Sequence, residues 1–298
     1  MSSIAVAVLT YAHPEWLEGL LSTMKHSGWP DCPVRVFCDG PAFIHVAENT
    51  HARYEALCDR YEVPLRTLPK WGCIQANAQQ AFEHTPEDWV ICIQDDNLVP
   101  PGFFENVFGM IREWEDHPSK PGMFQPPFWH VTDLSADLGD IAFPVVFMLR
   151  RWFLNYPDRL AAVGRNPGWK AKTESGEPCV YINAHGSCMI VRRKVWEMAG
   201  GFSPHTWRFD EELSGRCWFY TPYSIFHFDG PPLVHGCPGE VGTRPQPWHT
   251  YSTHQNFMKA TGKTPEQWGL LGREAMELAG GDGCPISQAT GREKGLLQ

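Results

Sequence analysis

Trp89-Val90-Ile91-Cys92-Ile93-Gln94-Asp95-Asp96-Asn97-Leu98-Val99-Pro100 decides how this chain is read: five apolar residues run without a break into Gln94 and two adjacent carboxylates. A run with no polar alternation suits a strand covered on both faces, as in a parallel sheet. The residues after such a strand emerge at the carboxyl edge of the sheet, where open α/β folds bind ligands. Two acids held side by side there need a partner. Hard oxygen ligands suit Mg²⁺ or Mn²⁺, which keep some of their waters and bridge one or two protein carboxylates to a nucleotide diphosphate. The bland alternative is a polar turn, and Pro100, Pro101 and Gly102 before Phe103 and Phe104 do read as a turn into a helix.

The flanking segments alternate between strand and helix patterns, which predicts a mainly parallel central sheet with helices on its faces. Residues 4–9 form the first strand. Pro14 opens a helix in which Trp16, Leu17, Leu20, Leu21 and Met24 recur at helical spacing, until Gly28-Trp29-Pro30 stops it. Residues 34–38 form a second strand ending in Asp39-Gly40-Pro41, a turn that sets another acid at the same edge as Thr10 and Asp96. A helix over 44–60, a strand over 65–68 and a helix over 74–82 lead into the Trp89 strand. Prolines and aromatics crowd residues 123–178, where long ordered loops are expected, with a mobile excursion over 155–177. Pattern returns as a strand over 186–191, a short helix stopped by Gly200-Gly201, an acidic helix start at Asp210-Glu211-Glu212, and a strand over 223–228. Helices over 254–260 and 265–278 and a glycine-rich tail complete the chain.

A chain of 298 residues exceeds the usual domain length, yet α/β folds often reach it as one core with additions. The formal charge of 25 − 34 = −9 argues against a surface that neutralises nucleic-acid phosphates. Ten cysteines are scattered with no CxxC pair, so they read as reduced thiols in a cytoplasmic protein and not as a disulfide framework or a zinc site. Cys38, Cys92 and Cys188 sit in apolar runs as small hydrophobes. No stretch approaches the ~20 apolar residues of a spanning helix. The richest, residues 141–149, is broken by Pro144 and reads as a buried strand. The short apolar start at residues 4–9 has no basic leader and reads as a strand, not a signal peptide.

Ile4-Ala5-Val6-Ala7-Val8-Leu9-Thr10-Tyr11, then Asp39-Gly40, Gly72 with Asn77, Gln94-Asp95-Asp96, Gly186, Gly200-Gly201-Phe202, and Asp210-Glu211-Glu212 before Arg216 together resemble the GT-A glycosyltransferases, especially glycosyltransferase family 2. The resemblance covers roughly residues 4–235. It implies an α/β, Rossmann-like GT-A domain whose donor-binding half is 1–122 and whose acceptor and catalytic half is 123–235. A helical extension over 236–280 and a flexible tail over 281–298 would lie beyond it. It also implies a nucleotide-sugar donor, usually a UDP-sugar, and transfer to an acceptor hydroxyl.

Residue by residue, Thr10, Tyr11 and Asp39 match positions that hold base and ribose, and Gly72, Gln75 and Asn77 lie at a helix start that approaches the diphosphate, with Lys70 adding charge. Asp96 matches the metal-binding acid, with Asp95 beside it reaching ribose or metal. The usual Asp-x-Asp here begins with Gln94, a weaker and uncharged ligand, so a modest affinity for Mn²⁺ or Mg²⁺ is expected. Asp210 or Glu211, with Glu212 third, corresponds to the general base of inverting transfer. An acidic first helical turn explains the same residues without any chemistry. His227 is the first choice for a third metal or diphosphate contact and His235 the second. Trp129, His130, Trp207 and Trp218 suit stacking on sugar rings, although for any one of them core packing is the better explanation. Two competitors stand beside this reading. A sugar-phosphate nucleotidyltransferase would carry a glycine-rich basic loop after the first strand, and Thr10-Tyr11-Ala12-His13-Pro14 has none. A non-catalytic nucleotide-sugar or glycan-binding protein on the same scaffold would explain Gln94. Sugar and acceptor are not encoded in any motif.

Overall fold

The computed structural model describes residues 2–11, 14–39, 49–69, 73–118, 120–130, 180–181, 184–202, 209–227, 230–231 and 233–235. The expected helices over 254–260 and 265–278, the strand over 141–149, the excursion over 155–177 and the tail lie outside them. Eight strands make the main sheet, in the order β3 (Leu65–Thr67), β2 (Val34–Cys38), β1 (Ile4–Thr10), β4 (Trp89–Gln94), β9 (Cys188–Arg192), β6 (Pro121–Gln125), β10 (Ser224–His227), β8 (Val180–Tyr181). The first four are mutually parallel, β9 runs against both β4 and β6, and β10 is parallel to β6. The parallel half matches the mainly parallel sheet expected from the sequence. β6 lies within what read as loop and contains the 122/123 division, so the two halves share one sheet.

Burial explains the strand patterns. Ala5 to Leu9 and Trp89 to Ile93 are each at most 1% exposed, as strands covered on both faces must be. Helix α1 (Pro14–Ser27) buries Trp16, Leu17, Leu20, Leu21 and Met24 and ends before Gly28. α2 (Thr50–Arg60), α3 (Cys73–Glu83) and α4 (Phe103–Trp114) come after their strands, and α4 turns Phe103, Phe104, Val107, Met110 and Ile111 inward. Each fully buried large side chain contributes about 1.5–3 kcal/mol.

In the second half, α5 (Arg193–Ala199) stops in a Schellman turn. Gly201 N–H donates to Trp196 O and Gly200 N–H to Glu197 O, both glycines standing at left-handed φ near +80°. Arg216, on α6 (Phe209–Tyr220), donates to Ala199 O at 2.7 Å and so pins α6 to that turn. The Gly200-Gly201 and Arg216 signals therefore meet, tying α6 to the end of α5. A second, three-stranded sheet was not expected: β11 (Leu233–His235) lies between β5 (Asn97–Leu98) and β7 (Phe128–His130). Among the described residues no helix is long and apolar enough to cross a membrane.

Candidate functional site

Strand direction builds the site. β1, β2, β4, β6 and β10 all end at one edge of the main sheet, and antiparallel β9 begins there. Thr10, Tyr11, Asp39, Asp95, Asp96 and Gln125 therefore share an edge with residues 184–187, the lead into β9.

Asp95 and Asp96, neighbours in sequence, take different partners. The Asp95 carboxylate accepts from Thr10 Oγ1 at 2.5 Å, and its N–H donates to Leu9 O, so it belongs to the β1 side. Burial, with Asp95 and Asp39 nearby, pushes the Cys38 thiol up to about 12, which keeps that neighbour uncharged. Asp96 belongs to the small sheet. Its Oδ1 accepts from Asn97 Nδ2 at 3.2 Å, and its Oδ2 stands 3.0 Å from His235 Nε2. The register of β11 causes this, because His235 pairs with Asn97 on one side and with His130 on the other. Of the two acids assigned to metal from the sequence, Asp96 stands beside a histidine. That histidine is His235, the second choice. The side chain of His227 lies outside the described residues.

The donor set fits a divalent cation of the Mn²⁺ or Mg²⁺ kind. A carboxylate oxygen and an imidazole nitrogen are donors such an ion accepts, and at 3.0 Å the two make a hydrogen-bonded pair that a cation would replace. Among the described residues no group of three metal-binding side chains occurs, so other positions would fall to water or a ligand oxygen.

Residues 184–187 connect the two sides of the site. Ala184 N–H donates to Ser214 Oγ at 3.0 Å, His185 N–H to Gln125 Oε1, and Gly186 N–H to Asp210 Oδ2 at 2.8 Å. Ser187 N–H reaches the ring nitrogen Nδ1 of His185 at 3.2 Å, and Ser187 Oγ lies 2.9 Å from the same atom. With Nδ1 accepting, a neutral His185 carries its proton on Nε2. Its ring meets that of His235 edge to face at 5.6 Å. Asp210 lies in the first turn of α6, as the helix-dipole reading expects, and its carboxylate also reaches the β9 lead. A Cβ on Gly186 would meet Asp210 Oδ2 at 3.1 Å and Phe209 Cε1 at 3.2 Å, so glycine allows that approach.

The remaining assignments separate. Asp39 is buried and its N–H donates to Thr10 O at 3.1 Å, while Tyr11 is half-buried beside it. Asn77 is not free to meet a diphosphate: it is 1% exposed, and its Nδ2 donates to Phe37 O at 3.0 Å and Thr10 O at 3.3 Å. It is a strut between the ends of β2 and β1. Gln75 lies in the first turn of α3 with its Oε1 buried. Lys70 and Gly72, and the side chains of Glu211 and Glu212, lie outside the described residues. His185, Gln125 and Ser214 were missed. The direction of β9 brings His185 to this edge, β6 ends there at Gln125, and Ser214 meets the β9 lead from α6; no spacing in the sequence announces the meeting.

No protein-family model matches the sequence, and no curated protein matches it. Solved structures do. The chain is similar to the mannosyltransferase PcManGT from Pyrobaculum calidifontis, solved with GDP-Man and Mn²⁺, at TM-score 0.55 and 16% identity over 90% of this chain and 67% of that one. It is similar to residues 1–349 of S. aureus TarS, solved with UDP, at TM-score 0.56 and 12% identity over 97% of this chain and 74% of that one. Against the longer TarS chain it spans 37% of that chain's length. The strand order, the mixed direction of the sheet and these similarities agree on the architecture: the chain has the GT-A fold of glycosyltransferases.

Proposed function

We propose that the protein is a glycosyltransferase that moves a sugar from a nucleotide-sugar, a UDP-sugar, to an acceptor hydroxyl with inversion, assisted by Mn²⁺ or Mg²⁺, in the cytoplasm. The observation that carries this reading is the meeting of Asp96 and His235 at the carboxyl edge, with Asp210 tied into the same edge through Gly186. The similar structures solved with GDP-Man and Mn²⁺ or with UDP support a nucleotide donor without choosing its base.

In this reading Tyr11 offers a face to the base. Thr10, Asp39 and Asp95 form the polar wall for base and ribose, and the Thr10 hydroxyl fixes the Asp95 carboxylate. Asp96 Oδ2 and His235 Nε2 would hold the cation, with Asn97 orienting the carboxylate through its other oxygen. When bound, the cation supplies positive charge against the leaving diphosphate. Asp210, or Glu211 beside it, takes the proton of the acceptor hydroxyl, and inversion requires that acid on the face of the sugar opposite the diphosphate. The acceptor is a hydroxyl-bearing molecule whose class no residue of the site specifies, and nucleic acid is the partner that the charge of −9 favours least.

Calorimetric titration of UDP, GDP, CDP and dTDP with and without Mn²⁺ tests the reading. Wild type should bind UDP in a Mn²⁺-dependent way, and Asp96→Ala and His235→Ala should each lose that dependence. Binding of none of the four diphosphates would leave the fold without this activity. A His235→Ala variant that keeps full Mn²⁺ dependence would remove His235 from the cation site.

A further inference from the structure

Gln94 stands where the acidic motif of the resemblance begins with a carboxylate, and its geometry gives the amide a different task. The side-chain Nε2 donates to Gly186 O at 2.8 Å. The N–H of Gln94 donates to Ser187 O at 2.9 Å, and its carbonyl accepts from Asn97 Nδ2 at 2.9 Å. The same Asn97 amide nitrogen also donates to Ser187 O at 3.0 Å and to Asp96 Oδ1. Residue 94 therefore grips the β9 lead with both backbone and side chain.

Gly186 is held from two sides. Gln94 takes its carbonyl and Asp210 takes its N–H, each at 2.8 Å. A carboxylate at position 94 has no proton to donate to Gly186 O and would set negative oxygen against a carbonyl. The position calls for a donor, and glutamine supplies one at the required length.

We infer that Gln94 is a positioning residue that holds the Gly186 peptide, and through it Asp210, against the end of β4, and is not a ligand of the cation. The inference rests on the function proposed above for its meaning in turnover, though its structural half stands apart from it. Gln94→Met keeps the length and removes both the donor and any ligand oxygen.

The test compares wild type and Gln94→Met in three measurements: hydrogen exchange over residues 184–192 and, as a control, 4–10; calorimetric titration of UDP with Mn²⁺; and UDP release from a panel of UDP-sugars. The expected result is faster exchange over 184–192 with 4–10 unchanged and UDP–Mn²⁺ affinity within about threefold of wild type. kcat should fall roughly 10- to 100-fold at nearly constant KM, the cost of displacing an aligned acid. Unchanged exchange over 184–192 would overturn the holding role. A fall of about tenfold or more in Mn²⁺-dependent UDP affinity, with exchange unchanged, would make Gln94 a ligand instead. If wild type binds no UDP, the proposed activity fails while the exchange comparison still decides what Gln94 holds.

Discussion

Gly186→Ala puts the junction between the two sides of the site to a quantitative test. The φ of Gly186 does not lie in the left-handed range, so the backbone accepts alanine and strain is not the issue. The added Cβ would face Asp210 Oδ2 at 3.1 Å, Asp210 Cγ at 3.2 Å and Phe209 Cε1 at 3.2 Å, and the start of α6 must yield by a few tenths of an ångström. Its retreat lengthens the 2.8 Å bond from Gly186 N–H to the carboxylate. A hydrogen bond to a charged acceptor contributes about 1.5–3 kcal/mol. Replacing glycine by alanine in an allowed conformation returns about 0.4–1 kcal/mol by narrowing the unfolded ensemble. The net loss is about 1–2 kcal/mol, a fall in Tm of about 2–3 °C for a chain of this size. Turnover should fall by roughly tenfold or more if Asp210, and not Glu211, is the base, because Asp210 is then the group displaced. Gly109→Ala in α4 is the internal control: nothing lies within 4 Å of its added Cβ, so that variant should gain about 0.5–1 kcal/mol. Thermal and urea unfolding read both variants. A Gly186→Ala protein as stable and as active as wild type would refute the close-contact argument.

Asn77→Ala removes the strut between the ends of β1 and β2: Phe37 O loses the Asn77 donor, while Thr10 O keeps the N–H of Asp39. Urea denaturation should show a loss of about 2–3 kcal/mol; a loss below about 0.5 kcal/mol would return Asn77 to the ligand contacts. Burial raises the thiols of Cys38 and Cys92 to about 12 and that of Cys188 well above its ordinary range. At about pH 8 only one Cys38 or Cys92 thiol in about 10⁴ is ionised. Peptide mapping after iodoacetamide should find these three unlabelled in the native protein and labelled once it is unfolded, and rapid native labelling would contradict their place in the core.

What the sequence determined by itself is local in origin. Unbroken apolar runs over residues 4–9 and 89–93 determine strands buried on both faces, and the spacing of Trp16, Leu17, Leu20, Leu21 and Met24 determines the buried face of α1. Polar residues at the ends of such strands must then emerge at one edge, which is why Thr10, Asp39, Asp95 and Asp96 were legible before any coordinate. The glycine stop after α5 was legible for the same reason, since a left-handed turn reads in two residues. Tertiary structure decided what depends on pairing at a distance. Antiparallel insertion of β9 between β4 and β6 carries His185 and Gly186 to the edge, and the register of β11 against β5 sets His235 against Asp96. The same folding turned Asn77 into a strut and Gln94 into a clasp. A residue's type states which bonds it can make, but the partner that uses them arrives from 92 positions away for Gln94 and 67 for Asn77, a separation that no local pattern encodes.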